Sequence, residues 1–316
     1  MAVHTPLSAG QIAATIESYD LGALTRAEPI ETGIENSNYR LDTDRGAWVL
    51  TIFEKRVEPL DLPYFAALLR HLSGKGLAVP PPIADRQDRL IRTVAGKPAW
   101  LVPFLAGRSP LPPTSADARE TGRALGALHA AAADFEATRI NDLSLSGWRA
   151  MAAELGDRAD HIDPGLGRLI DGELAFLDTH WPRALPHATI HADLFPDNVL
   201  MAEGAVTGLI DFYFACTDIR AYDLAVTHAS WAFGDGGRDF DAGIGRALVA
   251  GYAETHPLTQ AERTAMPLLC RGACLRFLLT RALDWFAEAD VPRKDPIAFA
   301  RRLEFYRAAP ERLFAP

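Results

Sequence analysis

The sequence predicts an α+β fold in two lobes, a small antiparallel sheet over residues 1–104 and a mainly helical body over residues 105–316. Three observations carry this. Before residue 104, short apolar runs are broken by turn residues; Leu105–Pro113 is rich in Pro and Gly, as a lobe boundary would be; and from Ser115 onward apolar residues recur at helical spacing.

In order along the chain, Ser8 to Tyr19 reads as an amphipathic helix with a Ser cap. Ser37 to Leu41 and Ala47 to Phe53 read as strands around the turn Asp44-Arg45-Gly46, and Leu62 to Leu72 as a packed helix. After the breaker Pro80-Pro81-Pro82, further strands are expected at Leu90 to Thr93 and Ala99 to Phe104. Ala116 to Ala133 opens the helical lobe, with Leu125, Leu128 and Ala132 on one face. His129, inside that helix, reads as a packing residue without a chemical role.

With 316 residues, 48% of them hydrophobic, the chain can bury a large core. No apolar run approaches the roughly 18 residues of a membrane helix, and Met1–Pro6 lacks a basic segment followed by an apolar one, so a cytoplasmic protein is expected. A net charge of −9 argues against a nucleic-acid partner, which would want clustered Lys and Arg. Cys216, Cys270 and Cys274 are an odd set with no paired framework and read as core.

The chemistry is concentrated in Ile190-His191-Ala192-Asp193-Leu194-Phe195-Pro196-Asp197-Asn198, followed by Gly208-Leu209-Ile210-Asp211-Phe212. A hydroxyl approaches a triphosphate only if the charge is neutralised, the phosphates are held in line and the hydroxyl proton has a destination. Asp193 is a possible base. Asn198 and Asp211 offer the hard oxygen ligands that Mg2+ favours. Val199–Met201 and Val206–Ile210, joined through Ala202-Glu203-Gly204-Ala205, read as a hairpin whose open end brings Asn198 and Asp211 together. The pattern points to phosphoryl transfer from a magnesium nucleotide.

At this point the sequence resembles the aminoglycoside phosphotransferase-like small-molecule kinases, which share the bilobal protein-kinase-like fold. The resemblance implies ATP and Mg2+ as cofactors, Asp193 as catalytic base, Asn198 and Asp211 as metal ligands, and His191 as a brace for the loop. For Asp223, a bland reading is an N-cap for the helix running to about Phe233; the resemblance adds a grip on the catalytic-loop backbone. Gly33-Ile34-Glu35-Asn36-Ser37-Asn38-Tyr39 lies where a phosphate-covering loop is expected, so Gly33, Asn36, Ser37 and Asn38 are nucleotide candidates. Adenine would dock near Pro103 to Leu105. Thr51 stands where such kinases carry a lysine, and Leu62–Leu72 contains no glutamate to pair with one. Lys55, two pleats along the same face if the strand extends, is a candidate replacement.

Segments beyond the motif, including Leu50–Arg56 and Arg271–Phe277 with Thr280-Arg281 and Asp284-Trp285, resemble the homoserine kinases of this fold over nearly the whole chain. That resemblance implies phosphorylation of the L-homoserine hydroxyl, a step toward threonine. A zwitterionic acceptor wants a cation for its carboxylate, which brings in Arg271, Arg276 and Arg281. Spaced by five residues, they cannot all share one helix face. Tyr213 and Trp231 could shape the acceptor pocket. Another small alcohol as acceptor (an aminoglycoside, choline or a hydroxylated amine), or a silent nucleotide-binding protein, stays open from sequence.

Overall fold

The computed structural model describes residues 3–30, 36–54, 57–287 and 293–314; of the expected nucleotide contacts, Gly33 and Lys55 lie outside the described residues. The chain divides into two compact units, Met1–Ala106 with Gly208–Tyr213, and Gly107–Thr207 with Phe214–Pro316. Residues 208–213 thus leave the lobe in which the sequence boundary had put them. Their backbone and side chains explain why: the Leu209 N–H donates to Ala78 O at 2.8 Å, and the Tyr213 ring packs edge-on against Phe53 and Phe65 and beside Trp100.

The first unit comprises α1 (Ala9–Glu17), β1 (Leu24–Ile30), β2 (Ser37–Thr43), β3 (Gly46–Ile52), α2 (Leu62–Gly74), β4 (Arg92–Val94) and β5 (Lys97–Pro103). The strands form one antiparallel sheet in the order β1-β2-β3-β5-β4. On β2, Ser37, Tyr39, Leu41 and Thr43 are buried while the residues between them are not. That face meets α1, where Ile12 and Ile16 pack with Leu50, Ile52 and Leu101. Burying each such side chain contributes roughly 1.5–3 kcal/mol. The Ser8 hydroxyl accepts from Gln11 N–H while the Gln11 side chain accepts from Ser8 N–H, closing a reciprocal cap on α1. The sequence marks β1 only as a strand-like run before Gly33, without bounds, because its interior is exposed and carries Arg26, Glu28 and Pro29. It pairs only with β2, and an edge strand with one solvated side needs no apolar alternation.

The second unit is built from α3 (Ser115–Ala131), α4 (Leu145–Leu155), α5 (Ala159–Ile162), α6 (Leu166–His180), β6 (His187–Ile190), β7 (Val199–Ala202), most of β8 (Ala205–Leu209), β9 (Cys216–Ile219), α7 (Arg220–Trp231), α8 (Ala242–Thr255), α9 (Gln260–Phe286) and α10 (Ile297–Ala308). Glu203 (φ +51°) and Gly204 (φ +79°) form the two-residue turn between β7 and β8, a conformation suited to tight hairpins. Every residue of α7 from Ala221 to Trp231 is buried, so this helix is the axle of the unit. Helices α3 and α8 touch backbone to backbone: a Cβ on Gly251 would lie 1.9 Å from Arg119 O, and one on Gly122 2.1 Å from Leu248 O. All three cysteines are buried and unbridged. Among the described residues no helix is long and apolar enough to cross a membrane.

Candidate active site

The loop that carries the motif leaves β6 at Ile190, where β6 pairs with β9 through Ile190 and Cys216. The next two residues turn sharply. Ala192 has φ +63°, a left-handed conformation that costs a residue with a Cβ about 1–2 kcal/mol. What holds it there is Asp223, whose two carboxylate oxygens accept the backbone N–H of His191 and of Ala192, each at 2.7 Å. Asp223 lies within the first turn of α7 and is not its N-cap; the cap position is Ile219. Its carboxylate therefore serves the loop and not the helix end.

Asp223 is fully buried. Burial would raise its carboxyl, but the hydrogen bond from His129, favourable electrostatics with the His129 and His191 rings and the His191 backbone N–H outweigh it and hold the carboxyl below the usual carboxylate range. His129 Nε2 is 3.0 Å from Asp223, and its Nδ1 is 2.7 Å from the Tyr252 hydroxyl. His129 reads from sequence as a packing residue only, and Tyr252 carries no mark at all, because their partners lie 94 and 123 residues away along the chain. Only the packing of α3 and α8 beside α7 makes them supports of the loop.

Beyond Ala192, the Asp193 N–H donates to His191 Nδ1 at 3.2 Å. His191, fully buried, thus braces the loop. Asn198 Nδ2 donates to Asp193 O at 2.8 Å and to Asp193 Oδ2 at 3.3 Å. These two bonds fix the amide orientation and make Oδ1 the oxygen available to a hard cation. Asp211, in the first unit and two residues past β8, has φ +65°. Left-handed backbone at a carboxylate is the kind of strain that gathers at functional sites. Among the described residues no group of three or more His, Cys, Asp and Glu is gathered as a metal cage. Amide and carboxylate oxygens are the hard donors that Mg2+ takes, together with phosphate and water.

In the first unit the polar residues near the expected phosphate loop are used differently from the expectation. The Ser37 hydroxyl, fully buried, donates to Glu54 at 2.6 Å and accepts the N–H groups of His4 and Thr5 at 2.9 Å, so it has no capacity left for a phosphate. Asn36 Oδ1 accepts from Glu54 N–H, and Asn38 Oδ1 accepts from the Thr51 hydroxyl at 2.8 Å. Thr51, in the lysine's place, is thus half of a neutral cross-strand pair, opposite Asn38 in register. An ion pair does exist here, between Lys97 and Glu54, with Thr5 accepting from Lys97 at 2.8 Å. Burial opposes the Glu54 charge, but the bonds from Lys97, Ser37 and Thr5 win and hold its carboxyl below the ordinary value. By strand alternation Lys97 shares the α1 face with Ala99, and Thr51 faces the other way. The pair ties residues 4 and 5 to the sheet and does not replace the missing lysine. Pro103 ends β5, Leu105 follows it half-buried, and between them the Phe104 N–H donates to Ala47 O.

The three arginines lie on α9 and have separate partners. Arg271 pairs with buried Glu173, its Nε at 2.6 Å, and lies over the Phe176 ring. Arg281 donates to Asp295 O at 3.1 Å and covers Phe299; burial pulls its pKa down to about 10. Arg276 is buried against the motif loop, donating to Ala192 O with its other terminal nitrogen 3.8 Å from Asp193. Trp231 is core, and its Nε1–H donates to Leu194 O at 3.0 Å. Tyr213 belongs to the aromatic cluster of the first unit.

Comparison with known proteins agrees with this geometry. Residues 26–258 match the model of a phosphotransferase enzyme family. A homoserine kinase of Azorhizobium caulinodans is 47% identical over 311 residues, covering 98% of this chain and 97% of that protein. One from Methylobacterium radiotolerans is 48% identical over 312 residues, with the same coverage. Among solved structures, an amicoumacin kinase in complex with AMP-PNP, Ca2+ and Ami superposes with a TM-score of 0.72 at 13% identity, covering 96% of this chain and 95% of its own, which shows the shared fold. The chain belongs to the phosphotransferase enzyme family and, within it, to the homoserine kinases.

Proposed function

We propose that this protein transfers the γ-phosphoryl group of ATP to the side-chain hydroxyl of L-homoserine, giving O-phospho-L-homoserine and ADP on the way to threonine. The observation that carries this is the full-length match to homoserine kinases at 47–48% identity, with the motif loop held in one conformation by Asp223. The acceptor is a small molecule, and the proposed location is the cytoplasm.

In the proposed step a bond forms between the homoserine oxygen and the γ-phosphorus as the bond from that phosphorus to the β,γ-bridging oxygen breaks. The hydroxyl proton passes to the Asp193 carboxylate. An aspartate is a weak base for an alcohol, so it takes the proton late and contributes mainly by orienting the oxygen. Asn198 and Asp211 are the proposed ligands for Mg2+, which supplies charge neutralisation on the phosphates. Asn198 also fixes Asp193 through its amide nitrogen, which couples the metal and the base within one loop.

ADP release measured with magnesium ATP against L-homoserine, serine, choline and an aminoglycoside tests the reading. Homoserine should be preferred by kcat/KM, and an aminoglycoside or choline preference would overturn the acceptor assignment. Asp193→Ala should lower kcat by about 10²–10⁴-fold, the usual size of a general-base contribution, with ATP affinity nearly kept.

A further inference from the structure

We infer that Arg276 is a positioning residue for this reaction, holding the peptide that follows Ala192 while Asp223 holds the one before it, and so fixing the direction of Asp193. The inference rests on the reading of Asp193 as the base. Residue 192 is the hinge of the loop, because its two torsions set the angle between the peptide before it and the peptide after it. The N–H of the first peptide is held by Asp223, and the C=O of the second accepts from Arg276 Nη1. A buried anion and a buried cation thus grip the two planes, and together they determine both torsions of a residue at φ +63°.

The arginine sits in a costly place. It is 1% exposed, its Nε has no hydrogen-bond partner among the described residues, and its ion pair with Asp193 is long at 3.8 Å. The rings of Phe214 and Phe277 lie 5.2 and 4.5 Å from the guanidinium carbon. An incompletely paired buried charge is a poor device for stability alone, where an apolar side chain of similar volume does as well or better. Its close contact is spent on the loop carbonyl, and so little of the side chain reaches solvent that it has no open face for a substrate carboxylate.

The test is steady-state kinetics of Arg276→Lys and Arg276→Met alongside the wild type. Misplacement of a catalytic group by about 1 Å costs on the order of 100-fold, so kcat of the Met variant should fall by that order while KM for homoserine and for ATP stays within about threefold. The Lys variant should recover part of the loss, since an ammonium can donate to Ala192 O without the planar fork of the guanidinium. Glycine adopts positive φ freely, so Ala192→Gly should reduce the kcat deficit when combined with Arg276→Lys. A tenfold rise in homoserine KM with kcat retained, additive effects of the two substitutions on ln kcat, or unchanged kcat in folded Arg276→Met would each overturn the inference. Should the Met variant fail to fold, the Lys variant and its combination with Ala192→Gly decide. Wild-type turnover on homoserine, measured first, separates this outcome from failure of the kinase reading itself.

Discussion

At Asp223 a carboxylate without access to solvent accepts three hydrogen bonds, two from the loop backbone and one from His129. Replacing it by Asn keeps the shape but removes the charge and one acceptor. Hydrogen bonds to charged groups contribute about 1.5–3 kcal/mol each, so Asp223→Asn should lower the urea unfolding free energy by about that much and depress kcat further than ATP affinity. Equal activity in the variant would show that the grip is not needed for turnover. At this scale the motif residues were legible because Asp193 and Asn198 lie five positions apart and meet within one loop. Arg276 was legible only as a cation; its contact with Ala192 spans 84 residues, and nothing local to α9 marks the carbonyl it meets. Trp231, expected in a pocket, is instead bonded to Leu194 O across 37 residues.

Among the elements, α7 carries a buried histidine besides Tyr222 and Asp223. His228 is fully buried; its Nδ1 is 2.5 Å from the Tyr306 hydroxyl and its Nε2 has no partner. Burial pulls its pKa down to about 3 from an ordinary 6.5. The folded state therefore holds this ring neutral while the unfolded chain protonates it below pH 6.5. The contribution is fully present above that pH and is lost as pH falls from 6.5 toward 3, at up to about 1.4 kcal/mol per unit. Urea midpoints measured between pH 7.5 and 4.5 should fall more steeply for the wild type than for His228→Gln. Parallel slopes would mean that another group governs the acid limb. Of the elements themselves, those with clear periodicity or caps were readable, as for α1, β2, β3 and α2. β1 was readable only as a run without bounds, because an exposed edge strand is specified by its neighbour's free hydrogen-bonding groups and not by its own pattern.

For the whole molecule, ligand linkage offers the simplest readout. Anything that binds only the folded state stabilises it by RT ln(1 + [L]/Kd), about 2.7 kcal/mol at a hundredfold excess over Kd. ATP should raise the melting temperature more with magnesium than without, and Asp211→Asn should erase most of that difference. If the magnesium-dependent part survives intact, Asp211 is not a ligand. The bilobal fold was readable from the change in hydrophobic period near residue 105, but the placement of 208–213 was not, since it depends on Tyr213 meeting Phe53, Phe65 and Trp100. That placement bears on how the protein is made. The first unit cannot be finished when its first hundred or so residues leave the ribosome; at about 5–20 residues per second it waits several seconds or more for Gly208–Tyr213 to be synthesised. During that interval the nascent sheet carries an unfilled aromatic cluster, a surface for a chaperone to cover, and a truncated fragment ending at Ala106 would carry it permanently.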